Sequence, residues 1–223
     1  MRSHMFANTE ADTEAGAFAL QNSRMLKVRL AGTSGFFYAK QGSMVAYQGD
    51  VDFGYEGSGG MGKFLKKAFT GEGMNLMKVS GSGDVFLADN ADELGVVYLE
   101  GDSLTVSGGN VLAFESTLEW DIKKVEGASM VSGGLFNTTF SGHGALVITV
   151  YGTPVLLNVD QPTYVDMQAA IAWSTSLQSS VKKTLKMGAM IGRGSGEAMQ
   201  LVLSGQGFVL VQASEGHPPI VQN

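Results

Sequence analysis

Residues 79–88 read VSGSGDVFLA, and the same pattern returns as FSGHGALVIT at 140–149 and as LSGQGFVLVQ at 203–212. Each segment has an apolar residue, then Ser-Gly-x-Gly, then a run rich in aliphatic side chains. The second glycines of the motif lie 61 and 63 residues apart, at Gly83, Gly144 and Gly207. A period of this length indicates that one supersecondary unit is repeated inside the chain.

A second set of segments recurs with a similar period. SMVAYQGDVDF, SLTVSGGNVLAF and TYVDMQAAIAW begin at residues 43, 103 and 163, which places Met44, Leu104 and Tyr164 60 residues apart. A lysine pair follows each segment, at 66–67, 123–124 and 182–183. Together with the glycine motif, these landmarks predict three internal repeats of about 60 residues.

Short β-branched and aliphatic runs separated by Gly, Asn and Asp occur roughly every 8 to 12 residues, which is typical of a sandwich or barrel. The runs are 85–87, 96–99, 104–106, 111–114, 146–150, 155–159 and 208–211. We therefore predict an all-β fold of three repeats forming β-sandwich or barrel units, with one or two short helices at the junctions. In the Ser-Gly-x-Gly motif, we expect glycine to permit a positive φ or a close approach to a neighbouring strand.

The repeats suggest domain boundaries. We set residues 1–5 apart as an expression-tag scar and 6–23 as an N-terminal segment. A single β domain is expected over 24–213, with repeats at 24–73, 74–134 and 135–198, a closing half-repeat at 199–213, and a tail at 214–223. A chain that ends on an extra half can pair it with its own beginning and close a ring, which removes open strand edges.

Composition narrows the class of protein. Of the 223 residues, 44% are hydrophobic and 16% charged, which allows a sizeable core and argues against disorder. The sequence has no cysteine, which excludes disulfides and thiolate metal sites and suits a reducing compartment, so we expect a cytoplasmic protein. The net charge of −6 argues against nucleic acid as a partner. No apolar run approaches the ~20 residues that a membrane helix needs.

The glycine-rich stretch GSGGMGKFLKKAFTGEG, residues 57–73, resembles a phosphate-binding loop at first sight. A phosphate loop needs Ser or Thr after its lysine, but Phe64 stands there, and the surrounding pattern is all-β. We interpret the stretch as a joint before a short helix at 62–69. Lys63, Lys66 and Lys67 share one face of that helix, which is either solvated or makes a weak membrane-surface contact.

Few side chains indicate chemistry. Glu72 and Glu197 recur nine and eight residues before Gly81 and Gly205. They are either turn-capping carboxylates or ligands of a metal or substrate. The acidic loop with Asp89, Asp92 and Glu93 lacks the calcium-loop pattern.

Two kinds of ring side chain remain. His143 occupies the variable position of the glycine motif, which favours a surface turn over catalysis. Trp120 and Trp173 are predicted to anchor the core or an interface. Because no catalytic constellation emerges, we expect neither an enzyme nor a cofactor; the alternative is a metal enzyme that uses Glu72 and Glu197.

Three stretches resemble the altered-inheritance-of-mitochondria family. They are GKFLKKAFTGEGMNLMKVSGSGDVFLA at 62–88, LTVSGGNVLAFESTLEWDIKK at 104–124 and GSGEAMQLVLSGQGFVLVQ at 194–212, and the likeness covers roughly 24–213. The resemblance implies a fold like the small β-sandwich of the tryptophan-RNA-binding attenuator, and homo-oligomers, with a trimer favoured. It implies no catalytic residues. Mitochondrial relatives are tied to inner-membrane organisation, and the bacterial members have no assigned molecular role.

These observations favour a bacterial, non-enzymatic, oligomeric scaffold or binding protein, with other proteins as further partners. Two alternatives stay open. One is a ring that holds a small molecule or RNA between its repeats. The other is a peripheral protein that organises a membrane.

Overall fold

The computed structural model describes residues 16–54, 75–124, 136–183 and 199–214. Within these ranges the chain is built from β-strands and two single-turn 3-10 helices, at Leu30–Gly32 and Gly108–Asn110. The predicted all-β class is confirmed. None of the helices in these ranges has the length and apolar character that crossing a membrane requires.

The strands are numbered in chain order. They are β1 (Phe18–Asn22), β2 (Met25–Arg29), β3 (Phe36–Lys40), β4 (Met44–Gly54), β5 (Leu76–Leu87), β6 (Glu93–Ser107), β7 (Val111–Glu115), β8 (Glu119–Lys124), β9 (Phe136–Val150), β10 (Val155–Val159), β11 (Thr163–Asp166), β12 (Ala170–Ser174), β13 (Gln178–Lys183), β14 (Met199–Ser204) and β15 (Gly207–Val211). All seven aliphatic runs of the sequence lie inside these strands, because β-branched side chains fit a pleated, half-buried surface.

The strands form one large antiparallel sheet and one small one. The large sheet has the order β1-β2-β5-β3-β7-β9-β6-β12-β15-β10, with β4 also paired to β5 and β8 to β9. The small sheet has the order β11-β14-β13. The large sheet is open at both ends, so the expectation of a closed barrel is wrong for the part of the chain that the structure describes.

The Ser-Gly-x-Gly motifs lie in long strands, or between two consecutive short ones, that are paired on both sides. β5 and β9 each continue through the motif, whereas the third copy separates β14 from β15. Positive φ angles occur at Gly81, Gly83, Gly142, Gly144 and Gly205. A side chain at Gly83 would place its Cβ 1.9 Å from the backbone oxygen of Gln48. Both predicted uses of glycine, positive φ and close strand approach, are therefore confirmed at these bends.

Each motif segment has the same arrangement of neighbours. The half before the bend lies between β3 and β4 in β5, between β6 and β8 in β9, and between β11 and β13 in the third segment. The half after the bend lies between β2 and β4, between β6 and β7, and between β10 and β12.

Two sequence expectations about pairing are wrong. β14 and β15 pair with β10 to β13, the strands that directly precede them, and in the described ranges they do not meet the beginning of the chain. Met44 lies opposite Leu87, after the bend, whereas Leu104 and Tyr164 lie before it. The equal spacing of 60 residues therefore joins positions in non-matching strands.

The ends of β7 and β12 are tied to the glycine-motif segments by matching hydrogen bonds between a side chain and the backbone. Glu115, at the end of β7, accepts the Ala145 backbone N–H through Oε2 at 2.8 Å. Ser174, at the end of β12, accepts the Phe208 N–H through Oγ at 3.0 Å. Ala145 and Phe208 both follow the second glycine of the motif, so the two side chains satisfy the same donor.

A second pair of hydrogen bonds fixes the variable residue of the motif. Thr117 Oγ1 donates to the His143 backbone oxygen at 2.8 Å, and Ser176 Oγ donates to the Gln206 oxygen at 3.1 Å. These hydroxyl groups donate to backbone carbonyls at the two bends.

In the described ranges, the core consists of three buried clusters along the sheets. Phe18 of β1 is buried and meets Phe37 edge-to-face with ring centroids 5.5 Å apart. β1 thus lies within the stretch 6–23 that the sequence analysis separated from the β domain. In the second cluster, Phe114 and Phe140 pack with centroids 4.9 Å apart, which joins β7 to β9.

Candidate functional site: unpaired strand edges

Five of the predicted site residues lie outside the described ranges. They are Lys63, Lys66, Lys67, Glu72 and Glu197. The junction helix and the matched glutamates therefore stay predictions.

The two tryptophans are placed, and both serve packing. Trp173 on β12 is buried in the third core cluster. Trp120 on β8 is partly buried, with its ring centroid 6.1 Å from Tyr38 and 5.7 Å from Phe114. Trp120 therefore packs beside the junction of β3 and β7, as an aromatic anchor is expected to do.

Among the residues that the structure describes, the titratable groups do not form a recognisable reaction centre. His143 is exposed at its bend, as predicted. Asp89 of the acidic loop forms an ion pair with Lys40. In the ranges described, no three His, Cys, Asp or Glu side chains are grouped so that they could hold a metal ion.

Among the described titratable groups, Tyr98 has a perturbed pKa. Partial burial, and then the Glu115 carboxylate, raise the pKa of Tyr98 above its ordinary value. Its hydroxyl donates to the Phe18 backbone oxygen at 3.3 Å, which ties β6 to β1.

One four-residue pattern occurs three times in the sheets. It reads MVAY at 44–47, VLAF at 111–114 and AIAW at 170–173, with alanine third and an aromatic residue fourth. Each copy lies at the start of a strand. That strand pairs with the part of a motif segment that follows the glycine bend. Each copy also carries a register shift at the same place, between its first and third residues. We call these segments the first, second and third quartets.

The quartets differ sharply in burial. Every residue of the second and third quartets is at most 3% exposed. In the first quartet, Met44 is 38%, Val45 52% and Tyr47 49% exposed. Side chains at matching positions of the pattern therefore lie in the core in two quartets and at the surface in one.

The difference arises from what lies along the outer edge of each quartet. β7, with the second quartet, pairs with β3, and β12, with the third, pairs with β6. β4, with the first quartet, pairs with β5 alone among the described strands. Its outer edge carries backbone donors and acceptors that no described strand satisfies.

A complementary edge lies at the other end of the chain. β3, β6 and β11 take equivalent places before the bends, and the outer edges of β3 and β6 cover the second and third quartets. β11 pairs with β14 alone among the described strands, and its Tyr164 is 51% exposed. The neighbouring edge strand β10 also exposes apolar side chains, at Val155, Leu156 and Leu157.

Sequence reasoning missed these edges, although a signal was present. Alignment of the segments beginning at 43, 103 and 163 by their first residues sets MVAY against the wrong strands. Alignment on the alanine and the following aromatic residue would have matched the three quartets. Which quartet lacks a cover depends on tertiary pairing, and no local pattern reports that.

Comparisons with known proteins agree with the all-β architecture. A crystal structure of a Streptococcus pyogenes protein superposes with a TM-score of 0.71 at 22% identity, covering 89% of this chain and 93% of that chain. A search of curated proteins gave no match. Residues 18–214 match the protein family described as Mitochondrial biogenesis AIM24. The chain therefore belongs to the AIM24 family.

Proposed function

We propose that this protein is a non-enzymatic, homo-oligomeric scaffold or binding protein that works through its strand edges. One observation carries the proposal. In the described ranges, exposed large apolar side chains concentrate on the edge strands β4, β10 and β11. The seven on these strands are Met44, Val45, Tyr47, Val155, Leu156, Leu157 and Tyr164, against two elsewhere, Tyr98 and Tyr151.

The physical reason is the cost of an open edge. An uncovered strand offers a row of unpaired N–H and C=O groups, and proteins normally protect such edges with charge, proline or a covering segment. Here the first quartet of β4 and the strand β10 combine an open edge with exposed apolar side chains, which is the character of an interaction surface. Association would remove both from water.

We further propose that the chain contains three copies of one unit, related to the attenuator-like sandwich. The matching neighbours of the three motif segments support this, as do the register shifts shared by the three quartets. Three units in one chain favour a trimer, since three repeats per chain make rings with pseudo-symmetry. For the cellular location we propose the cytoplasm, on the absence of cysteine from the sequence.

Light scattering coupled to size exclusion tests the oligomer. We expect a mass that is a multiple of the 23.5 kDa chain and stable over a range of micromolar concentrations, with three times the chain mass favoured. A mass of one chain at every concentration would overturn the scaffold proposal.

A further inference from the structure

We propose that the outer edge of β4 in one copy pairs, antiparallel, with the outer edge of β11 in the next copy, with Tyr47 opposite Tyr164. The inference rests on the proposed homo-oligomer and names the surface that forms it. It assigns to the exposed first quartet the same kind of cover that the other two quartets have inside the chain.

The register follows from the two contacts already present. At the second quartet, Phe114 lies opposite Tyr38 of β3. At the third, Trp173 lies opposite Thr105 of β6. In both cases the aromatic residue of a quartet lies opposite one residue of the covering strand. That residue of the covering strand has the same position relative to the glycine motif of its own neighbouring segment.

This position is defined by the motif segments. Tyr38 and Thr105 lie opposite Lys78 and Thr139, each immediately before the apolar residue that begins the motif. The residue of β11 in that position is Tyr164, which lies opposite Val202, immediately before Leu203.

The aromatic end of the register is equally well defined. Phe114 and Trp173 lie opposite Leu146 and Val209, each two residues beyond the second glycine of its motif. Tyr47 lies opposite Val85, which is also two residues beyond its second glycine. Tyr47 is therefore the counterpart of Phe114 and Trp173, and its partner is Tyr164.

The chemistry at this pairing is favourable. Tyr38 and Phe114 already form an aromatic cross-strand pair with ring centroids 5.1 Å apart, and Tyr47 with Tyr164 would form a second pair of that kind. On either side, Gln48 would face Thr163 and Ala46 would face Val165. Cross-strand aromatic pairs and a continued hydrogen-bond ladder are the units that stabilise antiparallel sheets.

The occupant we assign is a second copy of this chain. β4 and β11 are different edges, so their pairing is head-to-tail, and repetition of the contact closes a ring or extends a filament. Among the described strands of one copy, β4 and β11 are each paired on one side alone. The covering edge and the covered edge are both present on every copy, so no other protein is needed.

Cysteine cross-linking tests the register, because the chain has no cysteine of its own. One pair of single variants is Tyr47→Cys and Tyr164→Cys; the other is Gln48→Cys and Thr163→Cys. Adjacent cross-strand pairs alternate in Cα separation between about 4.5 and 5.5 Å, so one of the two suits a disulfide. Mixing the two partners of a pair under mild oxidation should give a disulfide-linked dimer, and each double variant should give a ladder of covalent oligomers.

Tyr151→Cys mixed with Tyr47→Cys is the matched control, since Tyr151 is 46% exposed but lies off both edges. At equal concentration, it should give at least tenfold less mixed dimer. A double variant that forms only an intrachain disulfide would show that the two edges meet within one copy, and would overturn the inference.

The failures of the two proposals can be told apart. An oligomer by light scattering without a cross-link in either register would sink this inference and leave the scaffold proposal standing. A monomer by light scattering, with no intermolecular cross-link, would remove both. Thermal melting of each reduced variant, compared with the parent protein, checks that the cysteines leave the fold intact.

Discussion

Gly83 shows how a single residue controls the fold at the bend. Its φ is +136°, and an added Cβ would sit 1.9 Å from the Gln48 oxygen on β4. Gly83→Ala must therefore separate β4 from β5 as well as strain the backbone. We expect a loss of about 3 kcal/mol in the free energy of unfolding, measured by urea denaturation.

The matched control for that substitution is Gly109→Ala. Gly109 has no atom within 4 Å of its ideal Cβ position, and its φ lies outside the positive range. Its replacement should change the free energy of unfolding by less than about 0.5 kcal/mol. Equal losses at Gly83 and Gly109 would contradict the close-approach explanation.

The ionisation of Tyr98 provides a second prediction at the residue scale. Glu115→Gln removes the charge that contributes to the raised pKa and keeps an oxygen for the Ala145 N–H. The pKa of Tyr98 should fall toward its ordinary value of 10.0 but stay above it, because partial burial is the larger cause. Ultraviolet titration of the phenolate, with Tyr98→Phe to identify its signal, measures this shift.

The same pKa fixes a direction for stability. A phenol whose pKa is higher in the folded than in the unfolded chain stabilises the folded state fully below pH 10. This stabilisation is lost as the pH rises through the pKa of the folded state. Tyr98→Phe should therefore flatten the alkaline decline of the melting temperature. An unchanged decline would show that other groups cause it.

At the scale of the element, the bend is held by side chains that precede it by about 30 residues. Ser174→Ala leaves the Phe208 N–H without the Oγ acceptor and should lower the free energy of unfolding by about 1–3 kcal/mol. Hydrogen exchange at Phe208 should also accelerate. Ser180→Ala, at an exposed serine of β13, is the control and should change neither measurement.

The strands were largely predictable from sequence and their pairing was not. Aliphatic runs bounded by Gly, Asn and Asp identified the strands because β-propensity and turn chemistry are local properties. The glycine bends were predictable for the same reason. The position of Met44 was misassigned because equal spacing does not reveal which half of a neighbouring strand a segment meets.

At the scale of the whole molecule, the candidate site arises because the described strands cover two of the three quartets. Three quartets need three covering strands, and the chain places β3 and β6 on the second and third quartets. Among the described strands, β4 and β11 are left without a partner on their outer edges. No individual residue of the first quartet signals this, since MVAY is as apolar as its buried counterparts. The surface is defined by the missing neighbour, so only the pairing of the whole chain reveals it.

Head-to-tail pairing predicts a specific result when the two edges are blocked separately. Lysine is disfavoured between paired strands, so Tyr47→Lys closes the β4 edge and Tyr164→Lys closes the β11 edge. Each variant alone should be a monomer by light scattering. The Tyr47→Lys protein keeps its β11 and the Tyr164→Lys protein keeps its β4, so mixing them should restore one contact and give a dimer that cannot grow.

Tyr151→Lys is the control for these variants, because Tyr151 is exposed to a similar degree and should leave the parent oligomer unchanged. If mixing leaves both blocked variants monomeric, while either one alone has lost the oligomer, the two edges do not bind each other. A contact between unlike edges must be restored when the mixture supplies one intact β4 edge and one intact β11 edge. If it is not restored, each edge has a separate role in assembly.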